Sequence, residues 1–176
     1  MTTATKLPDA WLRGPVEGVH PMLLPAAHAF IQVDEDVLRA AAELPPQTLW
    51  LKPGGAASPG FHLKHLVGST DRLFGYARGE GLTDAKKKFA SQEGVAGEGE
   101  TLESLTQAAH AAMVGALDLL RATNTDQLLD AREAGAMRLP TTVLGSIFHA
   151  AEHAQRHAGQ FVTTVKIIKG LGLGAS

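Results

Sequence analysis

Four stretches of the chain carry apolar residues at the three- and four-residue spacing of a helix, and proline and glycine close each of them off. The first, "MLLPAAHAFIQVDEDVLRAAAEL", places Leu23, Ala27, Phe30, Ile31, Val37, Leu38, Ala41 and Leu44 largely on one face, with Pro25 in its first turn. "PPQTLWLKPGG" then breaks the chain. The second opens with Ser58 as N-cap and Pro59 at the first helical position, and ends in the glycine-rich turn after Arg78. The third starts at a capped, acidic Thr101-Leu102-Glu103-Ser104 and carries the stripe Leu105, Ala109, Ala112, Met113, Ala116, Leu117 and Leu120. The fourth is expected from near Thr141, just after Pro140, to Lys169. "TDAKKKFASQE" reads as a short connecting helix, and "TDQLLDAREAGAMRLP" as a loop with one helical turn. No strand pattern is expected, so the fold class is all-α, most simply a four-helix bundle over 1–176 with an irregular lead-in at 1–20. Its inter-helix connections, roughly 15 to 20 residues, are long enough for crossover loops and parallel neighbours.

Composition narrows the function classes. Aromatic residues make up 5% and hydrophobic residues 44%, with alanine abundant, which suits closely packed helices better than a β-sandwich. Sixteen basic against eighteen acidic side chains give a net charge of −2, without the basic excess that nucleic acid requires. The run Lys86-Lys87-Lys88 stands beside acidic residues and reads as a solvated face. No apolar run reaches the roughly 18 residues of a membrane span, and the N-terminus lacks a basic-then-apolar leader pattern, so a cytoplasmic protein is expected. Cysteine is absent. Any metal site must therefore be built from His, Asp or Glu.

Eight histidines are present, and "HAAEHAQRHAGQ" holds three of them at four-residue intervals: His149, His153 and His157. A step of four residues advances about 40° around a helix and about 6 Å along it, so the three share one face. Neighbours on that line can converge on one metal ion. The outer two, about 12 Å apart along the axis, cannot easily do so, and one of the three is a spare. "FHLKH" offers His62 or His65 from the second helix as a further imidazole. Leu66, Val67 and Leu73 place the apolar face nearer His65, which leaves His62 as the exposed one. Three protein nitrogens with open positions are the layout of a catalytic or ligand-binding metal rather than a closed structural one. "HAAEH" also fits the inverted zinc-protease pattern, but that chemistry needs a downstream acidic ligand, and no Asp or Glu follows Glu152. His28 and His110, among apolar neighbours, read as hydrogen-bonded core or boundary groups. Trp11 and Trp50 are equally suited to covering a pocket mouth or filling a dimer contact.

The segments "SPGFHLKHLVGSTDRL" and "HAAEHAQRHAGQ", with the opening "WLRGPVEGVHPMLLPAAHAF", resemble the DinB-like superfamily, which includes the YfiT-type metal-dependent hydrolases. The resemblance puts the family's metal triad on His65, His153 and His157, followed by Gly159 and Gln160, with Ala158 where arginine is usual. His149 then becomes the spare. It implies a four-helix bundle, often a homodimer, that binds a divalent metal such as zinc or nickel. Relatives include S-transferases and isomerases that work with low-molecular-weight thiols, which makes such a thiol a candidate cofactor and a small molecule the candidate substrate. The expectation is a metal-dependent thiol S-transferase or hydrolase, with a non-catalytic metal-binding or stress-related bundle as the alternative. Glu152, next to His153, is the candidate base or ring-orienting group, and Gln160, one turn beyond His157, the candidate hydrogen-bonding partner of a ligand or water.

Overall fold

The computed structural model describes residues 8–174; residues 1–7 of the expected lead-in lie outside them. From Pro8 onward the lead-in is irregular, with short 3-10 turns at Ala10–Leu12 and Pro21–Leu23. Five α-helices follow: α1 Leu24–Ala41, α2 Pro59–Ala77, α3 Asp84–Gln92, α4 Leu102–Ala122 and α5 Val143–Gly170. The chain folds as an all-α protein. Among the described residues, no helix is long and apolar enough to cross a membrane.

The helix starts follow from local chemistry. α1 starts with Pro25 in its first turn and no side-chain cap, whereas α2 to α5 each begin where a side-chain oxygen accepts one of the orphan N–H groups of the first turn. Ser58 Oγ accepts from the Phe61 amide at 3.2 Å. Thr142 Oγ1 accepts from the Gly145 amide at 2.9 Å. Thr101 and Ser104 form a reciprocal capping box at the start of α4.

α1 and α2 each pack chiefly against α4 and α5, so α1 lies across the bundle from α2, and α4 from α5. The long connections allow this arrangement. Buried apolar residues of the four long helices form one cluster, with Phe30, Leu63, Leu66, Met113, Leu120, Ile147, Phe161 and Ile168 among its most enclosed members. Ala109, Ala116, Ala150, Ala154 and Ala158 are also buried, and such small side chains let helices approach closely with few aromatics to fill the space.

One expectation fails. The segment before α5, read as a loop with one helical turn, contains a two-stranded antiparallel hairpin, β1 Ala131–Ala134 and β2 Leu139–Thr142, after a 3-10 turn at Thr125–Gln127. Its composition (Ala, Arg, Glu, Leu, Pro, Thr) has little strand preference, and the turn takes left-handed backbone at Gly135, φ 72°, and at Arg138, φ 52°. Tertiary contacts hold it: the Arg132 guanidinium donates to the Ala77 carbonyl at 2.8 Å, and the Val143 and Leu144 amides donate back to Asp130 and Leu128.

α3 is held against α2 by residues spaced along one flank of that helix. Lys64, 5% exposed, donates to the Val95 carbonyl at 3.0 Å and pairs with Glu100 at 2.8 Å, which pins the glycine-rich loop after α3. One turn on, Gly68 lets the helices meet. A Cβ there would stand 2.3 Å from Glu93 Oε1 and 2.6 Å from Phe89 Cε1.

Candidate metal centre

α2 and α5 make the most extensive helix contact of the bundle, and the histidines meet there. On α5, Ala150, Ala154 and Ala158 turn into the core, and His149, His153 and His157 run one residue behind them along the flank. α2 brings His65 to the same place. One ring nitrogen from each of His65, His153 and His157 lies within 4.8 Å of the others, so the three could hold a metal ion. Ring centroids are 4.2 Å apart for His65–His157, 4.6 Å for His153–His157 and 5.0 Å for His65–His153. His65 Nε2 faces His153 Nε2 at 2.8 Å. Two bare lone pairs at that distance repel, so the position calls for a cation or a shared proton between them.

The surroundings orient these rings. Glu93, 3% exposed at the end of α3, accepts from His65 Nδ1–H at 2.6 Å and from the Arg72 guanidinium at 2.8 Å. Burial pushes its carboxyl upward, but the hydrogen bonds from His65 and Arg72 outweigh this and hold it below the usual carboxylate range. His157 Nδ1 meets His62 Nδ1 at 3.2 Å, which leaves Nε2 as its free nitrogen. Phe61 stacks on His65, with ring centroids 5.1 Å apart and planes 19° from parallel, and presents its edge to His62 and His157.

Burial, followed by the neighbouring His65, holds the imidazoles of His62 and His153 down to about 4 and that of His157 to about 3. All three are therefore neutral at pH 7, the form that can donate a lone pair to a metal. His153 Nδ1 is buried without a hydrogen-bond partner. The donor set of three neutral imidazole nitrogens therefore fits a divalent metal ion.

The structure brings His65, His153 and His157 together and leaves His149 outside. His149 is half exposed and lies 3.3 Å from Glu152. The Glu152 carboxylate is engaged by Arg156, which holds it below the usual range, so its local partners are on the outer side of α5. Gln160 is exposed and lines, with His62, Arg156, Gly159 and Thr164, a groove of about 570 Å³ that reaches the histidine cluster through His62. A larger hollow of about 760 Å³ lies at the hairpin and contains none of the histidines.

His62 requires a correction: it is 3% exposed rather than on the surface, because the α2–α5 contact is wide enough to enclose both flanks of its turn. Glu93 was not singled out in the sequence at all. Its one available signal is the four-residue spacing from Phe89, the apolar residue with which it shares a face toward Gly68. His28 Nε2–H donates to the Gly14 carbonyl (2.8 Å), and His110, exposed rather than core, pairs with Asp34 at 2.8 Å. Trp50 lies over Gly60, where a Cβ would come within 2.9 Å of its ring, and 5.7 Å from the Lys64 ammonium, while Trp11 is exposed.

No curated protein matches the chain in sequence. The sequence pattern of the DinB superfamily matches residues 29–161, from the first turns of α1 through the histidines of α5. With that match covering most of its length and the three histidines gathered between its second and last helices, the chain belongs to the DinB superfamily.

Proposed function

We propose that this protein is a divalent-metal-dependent enzyme of the thiol S-transferase or hydrolase type, acting on a small molecule at a centre held by His65, His153 and His157. The observation that carries the reading is the convergence of three imidazole nitrogens within 4.8 Å, from two helices, with no fourth protein donor in the group among the described residues. A zinc or nickel ion held there would lower the pKa of a coordinated water or low-molecular-weight thiol and keep it as a nucleophile. The chain's own residues prepare for this. Burial keeps His153 and His157 neutral and ready to donate, and Phe61 stacks an apolar face on the His65 ring. The absence of cysteine leaves no protein thiolate to take the open positions. Gln160 and Arg156, on the groove beside His62, are placed to hydrogen-bond a polar group of a bound substrate. Glu152 would transfer a proton only after release from Arg156, and Glu152→Gln tests that role by its effect on kcat.

Elemental analysis of the purified, untagged protein and of its His153→Ala variant comes first. About one divalent ion per chain, lost in the variant, supports the reading and leads to assays of thiol cofactors against electrophiles and of hydrolysable esters and amides. Metal without turnover in those assays would make this a metal-binding bundle without catalysis. No metal, with none taken up on adding zinc or nickel, would overturn the site.

A further inference from the structure

We propose that Glu93, clamped by Arg72, is the positioning residue of the three-histidine centre: it sets the tautomer of His65 so that the Nε2 lone pair, and not an N–H, faces His153 and His157. This rests on the metal-site reading above and extends it to a helix outside the donor set.

A neutral imidazole carries one proton, and which nitrogen bears it is decided by the partner of the other. Glu93 is paired with the Arg72 guanidinium at 2.8 Å, so its carboxylate accepts, and its Oε2 stands 2.6 Å from His65 Nδ1. The proton of His65 is therefore on Nδ1, and Nε2 is bare on the side where it meets His153 Nε2 at 2.8 Å. Accepting that N–H also makes Nε2 a stronger donor, the usual effect of a carboxylate behind a metal-binding histidine. The carboxylate cannot swing away, because Arg72 Nη1 holds its other oxygen at 2.8 Å and the whole group is buried. Its approach depends on Gly68, whose missing side chain leaves the space that Glu93 Oε1 occupies. His65, Gly68 and Arg72 thus form one built receptor on α2 for the end of α3.

Glu93→Gln discriminates this role from simple packing, because it keeps the volume and changes only the hydrogen-bond polarity. The amide oxygen goes to the Arg72 cation, which presents the NH2 group to His65 Nδ1. That nitrogen must then accept, and the His65 proton moves to Nε2, where it blocks the metal. Adding Arg72→Met removes the cation, frees the amide to turn and offers its oxygen to His65 again. Two readouts are needed. Histidine ring nitrogen NMR of the metal-free protein should show His65 with its proton on Nδ1 in the wild type, on Nε2 in Glu93→Gln, and back on Nδ1 in the double variant. Zinc affinity, by competition with a chromophoric chelator, should fall about 10- to 100-fold in Glu93→Gln and recover in part in the double variant.

An unchanged His65 tautomer in Glu93→Gln overturns the proposal. So does an equal loss of zinc affinity in the single and double variants, since that is the signature of a purely structural group. A wild type that takes up no zinc or nickel would overturn the metal-site reading, and the tautomer measurement on the metal-free protein would still decide for or against Glu93.

Discussion

Replacing His65, His153 or His157 by alanine removes one of three converging nitrogens, and each change is expected to abolish stoichiometric metal binding on elemental analysis. His149→Ala should leave the metal content near that of the wild type, because His149 is half exposed and turned to Glu152. If His149→Ala lost the metal and His157→Ala kept it, the donor pair on α5 would lie one turn earlier. His62 is a different case. It touches the centre only through His157 Nδ1, so His62→Ala should weaken zinc binding by roughly tenfold, the low end for loss of a group that orients a metal ligand, without abolishing it. A chelator competition titration separates these classes.

At the level of elements, α3 depends on a glycine. Gly68→Ala places a methyl 2.3 Å from Glu93 Oε1 and 2.6 Å from the Phe89 ring, so the C-terminal end of α3 must shift away from α2. Overpacking of this kind costs about 1–3 kcal/mol, readable as a lower midpoint in urea. Because Glu93 moves with α3, the same variant should bind zinc more weakly, whereas Gly115→Ala, with open space at that position, should do neither. The start of α5 offers a second check. Thr142→Ala removes the acceptor for the Gly145 amide and should cost about 1 kcal/mol, the usual cost of losing an N-cap.

The whole molecule titrates through its buried histidines. In the folded, metal-free protein His62 and His153 are held down to about 4 and His157 to about 3, against an ordinary value near 6.5 in the unfolded chain. Between those values the unfolded chain takes up protons that the folded one refuses, so stability rises with pH across the window and is complete above about 6.5. Tm of the metal-free protein should fall as pH is lowered from 7 to 5, and His157→Ala should fall less steeply. Metal adds to this. Zinc at 100 times its Kd should raise stability by about 2.7 kcal/mol if it binds only the folded chain, and the gain should vanish in His153→Ala.

Much of this could be read from residue order alone. Apolar spacing, the caps at Ser58 and Thr101 and the prolines near helix starts specify the four long helices, because those signals act within a few residues. The four-residue histidine spacing puts His153 and His157 on one face of α5 for the same local reason. What lies beyond a few residues was decided by the fold. The side of α2 that is enclosed, and with it the burial of His62, depends on how widely α5 covers that helix. The hairpin at 131–142 exists because Ala77 and the start of α5 hold it, not because its residues favour strands. Glu93 reaches His65 across 28 positions of sequence, through a glycine gap and an arginine clamp. Periodicity and capping are properties of neighbouring residues, whereas the partner of a buried carboxylate is a property of packing, and only the assembled bundle determines it.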